Sequence, residues 1–324
     1  MKTVAFYQPF LNERGTSVAM FDYAYFNEKI LKNKSVILYN HHNSWNEKNG
    51  EERFKKHFDV YSLDCKENNQ QAINEKIDLI VESTNAKWIY MTKYGNNDGC
   101  VSSKAKTLVQ CIGMASPDQA HGDVFSYGSY WLSNACTGGK YPAVPYMVYL
   151  PDENGDMREE LGIPKDAIVY GRHGGADTFD MPWAYQVIAE VLRQKDNVYF
   201  LFLNTTKFID HPRVIHLDTI VDNNHKTRFI NTCDAMLHVR YIGESFGLAC
   251  GEFSIRNKPV ITWFGSKERN HIEVLRDKGI YYNTPQELFN ILMTFTPDST
   301  KDWNAYREYT PEKIMKIFDE IYLK

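Results

Sequence analysis

The chain has 324 residues, of which 43% are hydrophobic and 24% are charged. This length predicts two domains, and the apolar content is sufficient for two cores and argues against intrinsic disorder. The 37 basic and 41 acidic residues leave a net charge of −4, which gives no global electrostatic reason to bind nucleic acid. We therefore expect no nucleic-acid partner.

The cysteines and the amino terminus bear on the cellular compartment. Six cysteines are scattered along the chain without a C-x-x-C pair, so we expect free thiols in a reducing compartment and no zinc site. The first residues have the pattern of a short strand and not that of a signal peptide. No window approaches the ~20 apolar residues that a membrane span requires. We expect a soluble, cytoplasmic protein without a transmembrane segment.

In the first half of the chain, short apolar runs alternate with a helical pattern. The predicted strands lie over residues 3–7, 35–39, 58–62, 78–81, 88–91 and 108–113. Residues 17–31 have the apolar spacing of a helix, with Thr16 or Ser17 as a candidate cap. Strands and helices that alternate in this way specify parallel β-α-β units with helices on both faces of a sheet.

A proline-rich segment separates the two halves. Pro142, Pro145 and Pro151 lie within ten residues of one another, where they restrict the backbone and disfavour helix. We therefore predict an N-terminal domain over residues 1–150 and a C-terminal domain over residues 151–324. The last helix can pack back on the first domain.

The second half repeats the alternation. A short helix is predicted over 156–162, strands over 167–170, 198–203, 214–217, 235–239 and 259–263, and helices over 182–193, 224–231, 246–256, 270–277, 285–294 and 311–323. The expected fold class is α/β, with two Rossmann-like domains that face a central cleft. Such sheets bind ligands in that cleft.

The most informative stretch of the second half contains Glu244 and Glu252. A strand ends in a polar loop, and Ser245 can cap a helix that begins directly after it. The N–H groups expected at that helix end belong to Phe246, Gly247 and Leu248. A helix end of this kind carries roughly half a positive charge and favours an anion, and a glycine lets the anion approach the backbone closely. Two glutamates alone are more often ordinary side chains of a surface helix, but here they indicate an anionic ligand rich in hydroxyls, such as a sugar nucleotide.

This arrangement resembles the E-x7-E region of retaining GT-B glycosyltransferases, particularly family four, with Lys258-Pro259-Val260 as the following strand. The resemblance implies that Glu252 binds the nucleotide ribose, while Glu244 and the loop amides hold the transferring sugar and its phosphate. It also implies retention of anomeric configuration through front-face attack, with no side chain as nucleophile.

The chain departs from the family pattern just before this motif. The family often has Pro-Ser where this chain has Arg240-Tyr241. Arg240 is therefore either a contact to the donor phosphates or a surface charge.

A glycine-rich turn follows the first strand of the second domain and resembles the family's Gly-Arg loop. By that resemblance, Arg172 stabilises charge on the leaving diphosphate, and Gly174 and Gly175 let the loop curl around phosphates. The family has a lysine five positions after the arginine, whereas this chain has Asp177. The cations that can substitute for the lysine are Arg240, Lys207 and Arg14.

The first domain contributes fewer candidates. Gly15 and Thr16 lie between the first strand and the first helix, where the family's loop faces the donor phosphates; the alternative is a simple helix cap. His121 lies where the family often places a histidine near the donor sugar, although a lone histidine is more often structural. His41 and His42 follow a strand end and can face the acceptor. We find no metal-ligand spacing, and we predict neither a catalytic metal nor a cofactor besides the nucleotide-sugar substrate.

Together these features predict a glycosyltransferase that moves a sugar from a nucleotide-sugar donor to the hydroxyl of a carbohydrate or other acceptor. One alternative is a GT-B epimerase or sugar phosphorylase, although the sequence shows neither an acid–base pair nor a phosphate pocket clearly. The other is a catalytically silent nucleotide-sugar-binding protein, which Asp177 keeps open.

Overall fold

The computed structural model describes residues 2–66, 69–220 and 222–324. The chain forms two compact units, of which the first comprises Met1–Met147 and Tyr309–Lys324 and the second comprises Val148–Glu308. The division between these units falls after Met147, within the proline-rich segment. The carboxyl-terminal segment belongs to the first unit. In the part of the chain that is described, no helix combines the length and the apolar character needed to cross a bilayer.

The first unit is built around a parallel sheet. Its strands are β1 (Thr3–Tyr7), β2 (Lys34–Asn40), β3 (Asp59–Leu63), β4 (Trp88–Lys93), β5 (Lys106–Cys111) and β6 (Val124–Tyr127). Its helices in this part of the chain are α1 (Gly15–Lys29), α2 (Lys48–His57), α3 (Gln70–Ser83) and α4 (Tyr130–Thr137). The strand order is β3-β2-β1-β4-β5-β6, so the chain reverses its direction of growth between β1 and β4. Ligands of open α/β sheets bind at such a reversal, beside the carboxyl ends of the strands.

The second unit repeats this plan. Its strands are β7 (Ile168–His173), β8 (Val198–Leu203), β9 (Val214–Leu217), β10 (Ala235–His238), β11 (Gly243–Glu244), β12 (Val260–Trp263), β13 (Glu268–Arg269) and β14 (Gly279–Tyr282). Its helices are α5 (Trp183–Gln194), α6 (Asn223–Thr232), α7 (Leu248–Ile255), α8 (Asn270–Leu275) and α9 (Pro285–Thr294). The main sheet has the order β14-β12-β10-β7-β8-β9, with the reversal between β7 and β10, and β11 pairs separately with β13.

The last helix, α10 (Pro311–Tyr322), is part of the first unit. Its Phe318 ring packs 5.2 Å from the ring of Tyr23 on α1, and its Tyr322 hydroxyl contacts the hydroxyl of Ser126 on β6. The Lys2 ammonium donates to the carbonyl of Leu323 at 3.0 Å. These contacts place α10 in the core of the first unit.

Two local predictions are wrong. The run over residues 78–81 is not a strand but the last turns of α3, because Ile73, Ile77 and Val81 are buried at the four-residue spacing of one helix face. The Asn69 side chain caps that helix by accepting from the N–H of Ala72. The predicted helix over 156–162 forms turns instead of a helix. We did not predict α2, since it buries only Gly50 and Phe54 and therefore has little apolar periodicity.

The helical assignment of residues 78–81 can be tested by stability measurements. Ile77 is fully buried, whereas Leu79 is 61% exposed on the opposite face of α3; in a strand the two would share a face. We expect Ile77→Ala to lower the free energy of unfolding of the first unit by about 2–5 kcal/mol, and Leu79→Ala to change it by less than about 0.5 kcal/mol. Chemical denaturation measures both, and equal losses would contradict the helix.

Candidate functional site

Polar residues of the second unit gather where β7 and β10 end. These strands are neighbours and run parallel, with Gly171 opposite Met236. Arg172 and His173 complete β7, and His238 completes β10. Because both strands point the same way, the loops that follow them meet at one edge of the sheet, where its order reverses.

The loop before α7 differs from the prediction. The helix begins at Leu248 and not at Phe246, and its N-cap is Gly247 and not Ser245. Gly247 has a φ of +88°, a left-handed conformation that glycine adopts without strain, and a Cβ placed there would lie 3.0 Å from the Cβ of His271. The amides without an acceptor inside the helix are therefore those of its first turn, beginning at Leu248. Phe246 is buried, and its carbonyl accepts from Asn270 at 2.7 Å.

Glu244 lies on β11 and is held by two basic groups. Its Oε1 accepts from Nη1 of Arg240 at 2.7 Å and from Nε2 of His238 at 3.2 Å. Burial by itself raises the pKa of Glu244, but the hydrogen bond from His238 and the charge of Arg240 outweigh it and lower the pKa to about 2. Glu244 is therefore an ionised acceptor in the folded protein.

A network of hydrogen bonds between buried side chains connects to Glu244 through His238. The Thr262 hydroxyl lies 2.7 Å from Nδ1 of His238 and 3.1 Å from Nε2 of His271. Because an ionised Glu244 can only accept, Nε2 of His238 carries the hydrogen in the bond between them. Burial, and then the charge of His238, keeps the pKa of His271 well below its usual value. The contacts thus tie Glu244 through β10 and β12 to α8, and they restrict its position.

Glu252 on α7 is engaged more completely than the sequence indicates. Its Oε1 lies 2.5 Å from Nζ of Lys226 on α6, and its Oε2 lies 3.0 Å from Nε2 of His173. Burial raises the pKa of Glu252, but the charges and hydrogen bonds of Lys226 and His173 lower it to about 2. Neither partner was predicted. His173 directly follows Arg172 in the glycine-rich turn, whereas no sequence signal marks Lys226. A ribose hydroxyl that reaches Glu252 must share the carboxylate with both.

Arg172 is buried and shapes its own loop. One terminal nitrogen donates to the carbonyl of Gly175 at 2.9 Å and to Oγ1 of Thr178 at 2.5 Å, and the other donates to the carbonyl of Asn204 and the hydroxyl of Thr205. Burial lowers the pKa of Arg172 to about 10, so the guanidinium stays charged at neutral pH. These bonds hold the turn after β7 against the loop after β8.

Two glycines make that turn possible. A Cβ on Gly174 would lie 3.0 Å from Nη2 of Arg172, and a Cβ on Gly175 would lie 3.2 Å from Cγ2 of Thr178. The turn is thus packed tightly around the guanidinium, whose terminal nitrogens are all directed at atoms of the protein.

The three cations proposed to substitute for the family's lysine have different surroundings. Arg240 contacts Glu244 and is partly buried. Lys207 is exposed and pairs with Asp210 at 3.0 Å, and Arg14 lies in the first unit, where its guanidinium stacks 4.9 Å from the ring of Trp45. Of these three, Arg240 is the cation that contacts a carboxylate of the site, while Asp177 is exposed.

The first unit has a cavity of about 240 Å³ beside the carboxyl ends of β1 and β4. Its lining includes Tyr7, Gln8, Phe10, Thr16, Lys93 and Tyr94. The Thr16 hydroxyl accepts from Nε2 of Gln8 at 3.2 Å and does not cap α1, which begins at Gly15 without a side-chain cap. Oε1 of Gln8 is buried without a hydrogen-bond partner among the described residues. A ligand hydroxyl could donate a hydrogen bond to this oxygen only if the Gln8 side chain turned towards the cavity.

His121 has both ring nitrogens engaged within the first unit. Nδ1 donates to the carbonyl of Gln119 at 2.8 Å, and Nε2 lies 3.0 Å from the ammonium of Lys93, which also binds Asp98 at 2.6 Å. An ammonium has no acceptor, so Nε2 of His121 must accept and Nδ1 must carry the hydrogen. The predicted contact between His121 and the donor sugar requires the bond to Lys93 to break.

Solved structures resemble this chain although sequences do not. No protein-family model matches the chain, and no curated protein matches it in sequence. A glycosyltransferase from Rickettsia africae ESF-5 is similar with a TM-score of 0.70 and 14% identity, covering 99% of this chain and 98% of that one. HepE from Anabaena, in complex with UDP-glucose, has a TM-score of 0.66 and 14% identity, covering 99% and 96%. A candidate UDP-N-acetylglucosamine 2-epimerase from Listeria monocytogenes has a TM-score of 0.61 and 11% identity, again covering 99% and 96%.

The chain therefore has the GT-B fold, with two parallel sheets flanked by helices, and the predicted fold class is confirmed. At identities of 11–14% the likeness establishes the fold and not the reaction. The reaction has to be argued from the site.

The buried ion pairs of Glu252 predict a pH-dependent stability. Because folding lowers the pKa of Glu252 to about 2 from an ordinary value of 4.5, the carboxylate stabilises the fold above about pH 4.5, and this contribution is lost as the pH falls towards 2. At neutral pH we expect Glu252→Gln to lower the free energy of unfolding by about 3 kcal/mol, since Lys226 and His173 lose their partner. The difference from the wild type should shrink as the pH falls from about 4.5 to about 2.

Urea denaturation over this pH range measures the effect. The matched control is Glu190→Gln, because Glu190 forms an exposed i,i+3 pair with Arg193, and its loss should leave the free energy of unfolding nearly unchanged. Equal stability of the two variants at neutral pH would contradict the role of Glu252.

Proposed function

We propose that the protein is a retaining, metal-independent glycosyltransferase that uses a nucleotide-sugar donor bound by the second unit. The observation that carries this proposal is the pair of carboxylates, Glu244 and Glu252, both held ionised by basic neighbours beside the start of α7 on a GT-B fold. Ionised carboxylates accept hydrogen bonds from sugar hydroxyls, and helix-end amides donate to phosphate oxygens. A sugar nucleotide offers both kinds of group on one molecule.

Each residue has a separate task in this proposal. Glu252 accepts from a ribose hydroxyl, and Lys226 beside it places a positive charge near the nucleotide. Glu244 accepts from the transferring sugar, and the amide of Leu248 binds the phosphate. Because Glu244 is itself negative, a diphosphate can approach it only if a cation shields it, and Arg240 at 2.7 Å supplies that charge.

The chemical step follows from the charges. As the bond to the anomeric carbon breaks, negative charge grows on the leaving phosphate, and preorganised N–H donors and Arg240 stabilise it where it develops. The acceptor oxygen bonds to the anomeric carbon on the face from which the phosphate leaves, and its proton passes to the departing phosphate oxygen. Because the new bond forms on the face of the old one, the configuration is retained. Arg172 contributes by holding the turn that shapes the phosphate pocket.

We assign the acceptor to the first unit. Its cavity has the rings of Tyr7, Phe10 and Tyr94, which can pack against the apolar face of a sugar. The unpartnered Oε1 of Gln8 can accept from an acceptor hydroxyl. A compact carbohydrate or another molecule with a hydroxyl beside an apolar ring fits these groups.

A second candidate is a GT-B epimerase, which the similarity to the Listeria protein favours. An epimerase requires an acid and a base around the sugar, and Glu244 with its pKa lowered to about 2 is a weak base. Product analysis separates the two. A transferase forms a glycoside only when an acceptor is present, whereas an epimerase alters the donor sugar without one.

Nucleotide binding tests the donor site first. Calorimetric titration with UDP, GDP, ADP, CMP and dTDP should reveal preference for one base. Glu252→Gln should lower the affinity for that nucleotide by about 10–100-fold, because a charged hydrogen bond to the ribose is lost. Glu190→Gln again serves as the control and should bind as the wild type does. If no nucleotide binds, or if Glu252→Gln binds equally well, the donor-site assignment is wrong.

Turnover tests the role of Arg240 separately. With the preferred donor, we expect Arg240→Gln to lower kcat by about 10²–10³-fold with a smaller change in donor affinity, since the charge develops mainly in the transition state. Lys207→Gln is the matched control because that cation is exposed and paired with Asp210. Addition of EDTA should leave the rate unchanged. Equal rates for the two variants, or loss of activity in EDTA, would refute this mechanism.

A further inference from the structure

Three side chains with metal-binding atoms cluster on the surface of the first unit, and two of them are the histidines that the sequence predicts to face the acceptor. They are His41 and His42, which follow β2, and Asp64, which follows β3. One potential ligand atom from each lies within 4.8 Å of the other two. The imidazole rings of the two histidines are 3.9 Å apart.

The sheet brings these residues together. β2 and β3 run parallel, and their pairing ends with Asn40 opposite Leu63, so His41 and Asp64 are the next residues on the two strands. Successive side chains of an extended strand point to opposite sides, but the chain turns at His41 and His42, and both rings come to the same side. The ends of two neighbouring parallel strands therefore place three potential metal ligands close together.

A buried side chain holds the two loops in this arrangement. Asn40 is almost completely buried, and its amide donates to the carbonyl of Cys65 at 2.7 Å, which joins the loop after β2 to the loop after β3. The carbonyl of Asn40 accepts from the Asn46 amide at 2.9 Å. The backbone beneath the three exposed side chains is thus held in place, while the side chains themselves can rotate.

The donor set has the chemistry of a transition-metal site. Imidazole nitrogen and carboxylate oxygen suit Zn²⁺, Ni²⁺ and Co²⁺. Nδ1 of His41 lies 2.8 Å from Oγ of Ser62, and a ligating histidine commonly uses its second nitrogen in such a bond. Nε2 of His42 lies 2.5 Å from Oδ1 of Asp64, so a histidine nitrogen and a carboxylate oxygen already lie side by side.

We propose that His41, His42 and Asp64 bind one divalent transition-metal ion of the zinc class. The ion displaces the proton between His42 and Asp64, and the side chains draw in until each ligand atom lies about 2.0–2.2 Å from the metal. Three protein ligands leave at least one position for water or for an anionic group. This site is separate from the donor-binding residues, and the proposed glycosyl transfer does not depend on it.

Calorimetry with the metal alone tests the proposal. The full chain is used without a histidine tag, and its metal is first removed by chelation and dialysis. Titration with ZnCl2 at about pH 7.5 should give one saturable site, and the affinity should fall at about pH 5.5, where imidazoles bind protons. His42→Ala and Asp64→Asn should each lower the affinity for Zn²⁺ by at least about tenfold. The control is His225→Ala, which removes an exposed histidine of the second unit and should bind as the wild type does.

Two further measurements guard against unfolding of the variants and against metal bound by a thiol. Circular dichroism of the metal-free variants should match that of the wild type, because all three side chains are exposed. The absorption spectrum with Co²⁺ should lack a thiolate charge-transfer band, because such a band would place the metal on a cysteine such as the partly exposed Cys136. Absence of saturable binding, unchanged affinity in both variants, or a thiolate band would each overturn the proposal.

Discussion

The parallel pairing of β7 with β10 is the constraint on which the proposed donor site depends. These strands are distant in sequence, yet their pairing sets Gly171 opposite Met236. As a result, the turn after β7 and the loop after β10 leave the sheet at the same edge. Arg172 and His173 come from one strand and His238 from the other, and the carboxylates of Glu244 and Glu252 join the site only because the strands are neighbours. In the first unit, the pairing of β2 with β3 brings His41 and Asp64 together in the same manner.

Charge compensation is the second organising feature. Burial alone would favour the neutral form of both site glutamates, yet the pKa of each is lowered to about 2 because two basic groups contact it. Each glutamate is thus kept as an acceptor for hydroxyl groups. The basic partners, Arg240 and Lys226 among them, also place positive charge beside the two carboxylates. In the proposed function, the ion pairs that stabilise the fold also prepare the site for an anionic, hydroxyl-bearing ligand.

The contacts of Arg172 in the glycine-rich turn differ from those that its position in the sequence predicts. The pattern around Arg172 predicts a residue that meets the leaving phosphate directly, and the structure shows a guanidinium whose terminal nitrogens are bonded to the protein. Gly174 and Gly175 serve the same packing, because side chains there would come within 3.0–3.2 Å of neighbouring atoms. Arg240, just before the motif, is the arginine in contact with a site carboxylate. In the proposed function, Arg240 and not Arg172 therefore meets the charge on the leaving phosphate directly.

The amino-acid sequence is sufficient to predict most of the alternation of strands and helices, and with it two Rossmann-like domains, because the apolar spacing of an element depends only on the element. The expectation of a GT-B fold came from the resemblance of the motif around Glu244 and Glu252. The sequence is also sufficient to find the stretch that contains these two residues, since this motif is contiguous. Local ambiguity limited the rest: the apolar run at 78–81 suits a strand or a helix end, and the start of α7 depends on how Gly247 packs against His271. Only the folded chain shows that Lys226 pairs with Glu252 and that the Lys93 ammonium is hydrogen-bonded to Nε2 of His121. It alone also shows that the Thr262 hydroxyl contacts both His238 and His271. Each of these contacts joins separate segments, and no periodicity or spacing along the chain specifies which side chains meet once the sheets form.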